Sequence, residues 1–371
     1  MSGGLTPEQL EVRRAFHDLA ARAIRPRARA IDESASFDRD LFREVGKTGF
    51  FAMRYPEPEG AGTDVLSYVL AVEELAWGSL SLAASCTMQS LMGSFFLHRH
   101  LEGERRRTLL PRVFSGDAVA GICMTEPGAG SDLFSMRTRA DKQGGDWRLT
   151  GQKTWVTSAP VAEIFTVLAR TGDKELSVFL VERGAPGLAI GRAIDKMGVK
   201  GSLTSELALD GTPALMLGPP GSGMSALREI LAEIRVMTGA LALGVARAAL
   251  EDAVKYAKER VQFGKPIGEF QAIQLHLAQM RTDLEAARQL VHWAARRSDE
   301  KLENADEAAM AKLFASEAAL RVCDHAARIL ASYGYATDYD VERYLRDVRF
   351  TLIGGGTSEI LMTNIARGML R

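Results

Sequence analysis

Residues 123–132 read Cys-Met-Thr-Glu-Pro-Gly-Ala-Gly-Ser-Asp and continue from the apolar run Ala118–Met124. The run predicts a β-strand, so the decapeptide forms a loop at the end of that strand. Its two glycines allow a close backbone approach, and Thr125 and Ser131 supply hydroxyl groups. The loop could hold a flat polar ring or a phosphate, and on this chemistry alone an ordinary hairpin loop is an equally good interpretation.

More strand-like sequence follows this loop. Short apolar and β-branched runs, bounded by Gly, Asp and Ser clusters, occur at residues 153–157, 164–168 and 176–181. They predict further strands in the same part of the chain. We therefore expect a β domain of about 100 residues.

Helical sequence lies on both sides of the strand-rich part. Thr6-Pro7-Glu8-Gln9 combines an N-cap threonine, a first-turn proline and a glutamine three residues on, which predicts a helix start. From Ile230 to Ala253, apolar residues recur every three or four positions, as in a helix of a four-helix bundle. The sequence predicts an α+β fold of three domains: N-terminal helical (1–116), middle β (117–222) and C-terminal helical bundle (223–371).

Composition excludes several classes of protein. The 46 basic and 47 acidic residues leave a net charge of −1, which gives no electrostatic footprint for nucleic acid or an anionic membrane. The 3 cysteines and 6 histidines are dispersed, which argues against a disulfide framework and a zinc site. The N-terminus lacks a signal-peptide pattern, and no apolar stretch is long enough to span a bilayer. We expect a cytoplasmic protein with no metal site.

A second motif reads Gly151-Gln152-Lys153-Thr154-Trp155-Val156-Thr157. Side chains alternate along a strand, so Trp155 and Thr157 share a face. An aromatic face beside a hydroxyl group suits a planar redox ring. Taken alone, the motif favours the plainer interpretation of a core tryptophan.

Two further motifs lie in the helical C-terminal part. The segment Arg260–Ile267 interrupts a long helix with Gly and Pro, and its arginine could bind a phosphate. Taken alone, the segment is interpreted as the end of a helix with a solvated charge. Gly354-Gly355-Gly356-Thr357-Ser358-Glu359-Ile360 opens a final helix. Helix N-termini attract anions, so this loop is a second candidate for binding a phosphate or a carbonyl oxygen.

Together, in this order and at these separations, the four motifs resemble the acyl-CoA dehydrogenase family. The resemblance implies an N-terminal helical domain, a middle β-barrel-like domain and a C-terminal four-helix bundle. It implies an FAD-dependent oxidoreductase acting on the α,β-carbons of an acyl-CoA or acyl-carrier-protein thioester. It also implies an electron-transfer flavoprotein-like acceptor and a homotetramer or homodimer, with a heteromer as a further option.

The resemblance also assigns site residues. From one subunit, the FAD contacts are Ile122, Met124, Thr125, Gly130, Ser131, Trp155, Thr157, Thr357 and Glu359. Toward the FAD of a neighbouring subunit they are Arg260, Phe263, Arg328 and Ser332. The substrate contacts are Ser131, Arg235 and Gly355.

The catalytic base of the family is not matched. Most members remove the α-proton with a glutamate directly before the Gly-Thr of the last loop, where this chain has Gly355. Others place the base on the long bundle helix, where this chain has Ile234. Glu233 is a weak candidate because one helical step rotates its side chain by about 100°.

Other positions depart as well. The family has the motif Gln-x-x-Gly-Gly-x-Gly near the end of the bundle. In this chain Arg328 replaces the glutamine, and Ala331 and Ser332 replace the first two glycines. We therefore expect the adenine end of the cofactor to be bound differently. Ala232 replaces the acidic residue three positions before Arg235, which puts the usual thioester contact in doubt.

Two functional hypotheses follow from these departures. The first is an FAD-dependent acyl thioester dehydrogenase with a displaced base. The second is a family member without a base, either a flavin enzyme of different chemistry, such as elimination or monooxygenation, or a non-catalytic subunit of a heteromeric dehydrogenase.

Overall fold

The computed structural model of the chain describes residues 4–370. Its N-terminal part is helical, with these bounds: α1 Pro7–Leu19, α2 Ala28–Ser34, α3 Arg39–Lys47, α4 Val65–Gly78, α5 Leu80–Met88, α6 Ser94–His100 and α7 Gly103–Ser115. The first helix begins where the sequence predicts. Gln9 N–H donates to the Thr6 hydroxyl oxygen, and Thr6 N–H donates to the Gln9 side-chain oxygen.

The middle part contains the strands β1 Ala120–Cys123, β2 Arg139–Gln143, β3 Asp146–Thr157, β4 Ile164–Arg170, β5 Leu176–Glu182, β6 Leu188–Ile190 and β7 Thr204–Leu217. Pairing runs from β4 through β2, β3, β7 and β5 and back to β4. Strand β1 lies parallel to β4, and β6 pairs with β7. Because the ring of pairings closes, the barrel-like middle part implied by the resemblance is confirmed.

The C-terminal part is a helical bundle with these bounds: α8 Gly223–Glu259, α9 Gln271–Asp299, α10 Ala305–Leu330, α11 Asp340–Asp347 and α12 Ser358–Met369. A two-strand hairpin, β8 Val261–Gln262 and β9 Lys265–Pro266, joins α8 to α9. Helix α8 has 37 residues and packs against α9, α10 and the N-terminal helix α4. It is therefore the common support of the two helical parts.

Buried ion pairs join α4 to this bundle. Glu74 accepts from the guanidinium of Arg247 on α8, with an Nη1 to Oε1 distance of 2.8 Å. Glu73 accepts from Arg288 on α9 at 2.9 Å. Both carboxylates are almost fully buried, and the pKa of Glu73, which burial alone would raise, is lowered to about 2 by Arg288 and Arg247. The pairs fix the orientation of α8 relative to α4.

One segment of the described residues, Leu80–His100, is long and apolar enough to cross a membrane, and 89% of its apolar window is buried inside the fold. It comprises α5, α6 and the residues between them and packs as a core segment, so the expectation that no apolar stretch is long enough to span a bilayer is wrong by length and composition. The last helix of the N-terminal part, α7, ends at Ser115, and the first helix of the C-terminal part, α8, begins at Gly223. The inner domain limits at 116 and 222 remain predictions. The outer limits of the predicted domains, residues 1 and 371, lie outside the described residues.

Candidate active site

A buried ion pair holds the glycine-containing loop 123–132 against strand β3. The ammonium of Lys153 lies 2.8 Å from Glu126 Oε1 and 3.1 Å from the carbonyl oxygen of Met124. Glu126 also accepts from the backbone N–H groups of Arg137 and Thr138, at 2.6 and 2.9 Å. Burial alone would raise the pKa of Glu126, but these donors lower it. The loop therefore has a fixed backbone.

The outer side of this loop is open. A Cβ atom built on Gly128 or Gly130 would meet no heavy atom within 4 Å. Ser131 is exposed, and Thr125 and Met124 are half-buried. A ligand can thus approach the backbone of the loop without displacing protein atoms, as its sequence predicts.

Trp155 does not lie in the core. It has φ of +57°, a conformation that bulky residues rarely adopt, and 57% of its surface is exposed. The cause is a register shift between β3 and β7 at Lys153 and Val156, which turns Trp155 outward while Thr154 stays buried. The plainer interpretation of a core tryptophan is wrong. Such backbone strain costs roughly 1–3 kcal/mol and is typical of ligand sites.

Thr157 completes this surface. It is half-buried, while Val156 between it and Trp155 is buried, so the alternation along β3 persists beyond the register shift. The open loop, the exposed indole and a neighbouring hydroxyl group fit a planar ring with polar edges. The residues present therefore suit the isoalloxazine of FAD.

The last glycine loop closes against α8. Gly355 and Gly356 have φ of +72° and +104°. The Thr357 hydroxyl caps α12 by accepting from Ile360 N–H, and Glu359 lies exposed in the first turn of that helix. The ammonium of buried Lys312 donates to the carbonyl oxygen of Gly356 at 2.7 Å.

Both family positions for the base lie on one wall. A Cβ built on Gly355 would be 3.7 Å from Ile234 Cγ2 and 3.1 Å from the Thr238 hydroxyl oxygen. The nearest heavy atoms there belong to Ile234 and Thr238, so none is a carboxylate oxygen. We call these three residues the baseless wall.

Glu233 is directed to the N-terminal helical part. Its carboxylate forms a two-point ion pair with Arg54, whose guanidinium lies 4.8 Å from the ring of Tyr55. Both partners of the pair are more than four-fifths buried. The carboxylate of Glu233 is therefore already occupied by Arg54 of the N-terminal helical part.

Arg235 lies beside the baseless wall and is 92% buried, with 8% of its surface exposed. Among the residues that the structure describes, its Nε has no hydrogen-bond acceptor and no carboxylate comes within ion-pair distance of its nitrogens. Burial lowers the pKa of Arg235, and exposed Asp306 opposes this only through space. The site thus holds a buried cation that the surrounding protein does not neutralise.

The remaining predicted residues lie at the other end of α8. Arg260 follows the last residue of the helix, about 37 Å along the axis from Arg235 at 1.5 Å per residue. Its guanidinium lies 5.5 Å from the ring of Tyr333, and Phe263 is 94% exposed. Arg328 pairs with Asp324 on the surface, and Ser332 is exposed. These residues cannot reach the baseless wall of their own subunit.

Comparison with known proteins identifies the family. Residues 6–117, 121–212 and 221–370 match, in turn, the N-terminal, middle and C-terminal domains of acyl-CoA dehydrogenases. The chain is 54% identical to benzylmalonyl-CoA dehydrogenase of Aromatoleum aromaticum, over 99% of both chains. It is 37% identical to a 3-(aryl)acrylate reductase of Clostridium sporogenes, over 97% of this chain and 98% of the relative. Butyryl-CoA dehydrogenase of Megasphaera elsdenii superposes with a TM-score of 0.95 at 34% identity, over all of both chains.

Lys153→Met should destabilise the protein by about 3–5 kcal/mol, because it leaves Glu126 buried without its cation. The matched control, Lys153→Met with Glu126→Gln, removes both charges and should recover much of the loss. Urea unfolding measures both. Because the pKa of Glu126 is lowered from its ordinary 4.5, the contribution of this carboxylate is present at neutral pH and is lost as pH falls below 4.5. Equal stability of the two variants would show that the pair does not hold the loop.

Proposed function

The chain belongs to the acyl-CoA dehydrogenase family, and we propose that it oxidises an aryl-substituted acyl-CoA. This substrate carries a free carboxylate on its α-carbon in addition to the thioester. The family assigns an FAD-dependent oxidoreductase that acts on the α,β-carbons of an acyl thioester. The proposal specifies which thioester suits a site without a base.

The baseless wall is the observation that carries the proposal. A positioned general base contributes roughly 10²–10⁴-fold to a rate. With Gly355 and Ile234 at both family positions, a substrate that offers only an α-hydrogen would forgo this contribution. The carboxylate of Glu233 cannot replace it because Arg54 holds it.

A carboxylate on the α-carbon removes the need for a base. When the bond from Cα to this carboxylate breaks, CO2 departs and the bonding electron pair stays on Cα. That pair forms the Cα=Cβ bond as a hydride leaves Cβ, and Cα keeps its hydrogen. When bound, FAD supplies the acceptor for that hydride. The reaction balances without proton removal: one CO2 and one hydride leave each substrate.

The aryl group follows from the relatives and from the chemistry of Cβ. Benzylmalonyl-CoA dehydrogenase and 3-(aryl)acrylate reductase both carry an aromatic group in the name of the compound they act on. An aryl ring on Cβ stabilises the charge that develops as the hydride leaves. The apolar side chains of Phe96, Ile122, Met124 and Leu227 pack together next to loop 123–132 without a cavity between them, so the aryl group is assigned from the relatives and from the chemistry of Cβ.

Each group of chain residues has a defined task in this proposal. Trp155, Thr157 and the loop from Thr125 to Ser131 hold the flavin ring. Thr357 and Glu359 lie at the N-terminus of α12, where a polar part of the cofactor or substrate can bind. The wall of Ile234, Thr238 and Gly355 excludes water from Cα, so that the electron pair released there is not protonated.

The position of Arg260 also supports assembly into oligomers. About 37 Å of helix separate it from the Arg235 end of its own subunit, so it can contact a flavin only across a subunit interface. Exposed Phe263 accompanies it. We propose a homo-oligomer in which this end of α8 binds the FAD of a neighbour, with a separate flavoprotein as electron acceptor.

Benzylmalonyl-CoA should bleach the flavin of the wild-type enzyme rapidly under anaerobic conditions and release one CO2 per flavin. The matched thioester, 3-phenylpropanoyl-CoA, differs only in lacking the carboxylate and should react at least about 100-fold more slowly. Stopped-flow absorbance and CO2 quantification measure this. Comparable bleaching by both thioesters would reveal a protein base and refute the proposal.

Ile234→Glu should create a base and accelerate bleaching by 3-phenylpropanoyl-CoA by roughly 10²-fold or more. Ile234→Gln is the control, since it has the same size without a basic carboxylate. The gain should grow as pH rises through the pKa of the new carboxyl group. Gly355→Glu should instead lower stability, because φ is +72° and its Cβ would lie 3.1 Å from the Thr238 oxygen. Equal rates for the Glu and Gln variants would place the wall away from Cα.

Arg260→Ala should weaken FAD retention by about 10–100-fold, since a charge-assisted hydrogen bond contributes roughly 1.5–3 kcal/mol. Lys258→Ala is the control, because Lys258 is an exposed cation at the same helix end. FAD content after gel filtration, with light scattering for mass, measures both effects. A wild-type monomer that retains FAD would contradict the proposed assembly.

A further inference from the structure

Arg235 differs from the other deeply buried cations of the described chain. Lys153 pairs with Glu126, Arg247 with Glu74, and Arg343 with Asp340. Lys312 donates to the carbonyl oxygen of Gly356. Within residues 4–370, Arg235 alone among these buried cations has no acceptor for its side chain. Burying a charge without a partner is costly, so this position requires an explanation other than stability.

Its surroundings place this cation at the reaction site. Arg235 lies one helical step, about 100° around α8, from Ile234, and its side chain acts on Lys312, whose ammonium donates to the carbonyl oxygen of Gly356 beside the baseless wall. It also lies near Lys312 under the glycine loop. Burial, with Arg235 also acting on it, lowers the pKa of Lys312 to about 8. Two buried cations thus flank a wall that has no carboxylate.

We propose that Arg235 binds the α-carboxylate of the substrate and so determines specificity for a thioester that carries one. This inference rests on the proposed function, and it deepens that function by naming the subsite. A guanidinium presents a planar set of donors that matches a carboxylate, so it fixes the direction of the carboxylate as well as its position. The bond from Cα to the carboxylate must stand across the plane of the thioester carbonyl for its electron pair to join the new double bond.

The same cation explains how ordinary acyl-CoA molecules are rejected. A thioester without the carboxylate buries Arg235 completely and leaves it unpaired, which is the arrangement that discriminates most strongly between related substrates. The product of decarboxylation also lacks the carboxylate. Loss of CO2 therefore removes the contact that bound the substrate, which favours product release.

Binding of malonyl-CoA and acetyl-CoA to the FAD-loaded enzyme tests the subsite without requiring oxidation. The two thioesters differ only in the α-carboxylate, and neither has a β-hydrogen to give up as hydride. Wild type should bind malonyl-CoA about 10–100-fold more tightly than acetyl-CoA in calorimetric titrations. Arg235→Gln should abolish this preference by weakening malonyl-CoA alone, and Arg235→Lys should retain part of it.

Arg228→Gln is the matched control. It removes an exposed arginine from the same helix, so it reports any general effect of charge on the phosphates of coenzyme A. FAD content and acetyl-CoA affinity verify that each variant is folded. An equal loss of affinity for both thioesters in Arg235→Gln would assign a structural role and overturn the inference, as would an unchanged preference for malonyl-CoA.

The outcome is separable from that of the proposed function. If benzylmalonyl-CoA is not oxidised but Arg235→Gln removes the preference for malonyl-CoA, the subsite stands and the proposed substrate is wrong. If benzylmalonyl-CoA is oxidised but wild type shows no preference for malonyl-CoA, the inference about Arg235 fails alone.

Discussion

The ion pair between Glu126 and Lys153 is the interaction on which the proposed flavin-binding surface, formed by loop 123–132, Trp155 and Thr157, depends. It ties the loop after β1 to the middle of β3, and the carboxylate also fixes the chain at Arg137 and Thr138. The strained conformation of Trp155 persists because residues on both sides of it are anchored. Lys153 and Val156 are buried, so relaxing the backbone at Trp155 would expose a paired charge or an apolar side chain.

Helix α8 supplies Ile234 and Thr238 of the baseless wall and holds them in a fixed position. Its middle is fixed to α4 by the pair of Arg247 and Glu74, and its first turns carry Ile234 and Arg235 to the glycine loop. The other end carries Arg260 away from that loop. In the proposed assembly, this 37-residue helix therefore serves the cleft of its own subunit at one end and the cofactor of a neighbour at the other.

Much of this arrangement could be predicted from the sequence because its signals are local. The helix start at Thr6, the strand before Thr125 and the three-part order of the fold rest on caps, periodicity and turn residues. The outward position of Trp155 could not be predicted, because it depends on the register between β3 and β7. The pairing of Glu233 with Arg54 could not be predicted from the sequence either, since 179 residues separate the partners.

The unpaired state of Arg235 is the least predictable feature, because the absence of a partner is a property of everything around a residue. Neither this cation nor the lack of a base at Gly355 identifies a substrate by itself. A buried cation without a partner could have no role in catalysis, and a missing base could mark an inactive subunit. Together they are complementary, because a substrate that brings its own carboxylate neutralises Arg235 and supplies the electron pair that a base would otherwise release from a C–H bond. In the proposed reaction the substrate supplies the negative charge that the glutamate of the family would otherwise supply, and Arg235 is the cation that would recognise it.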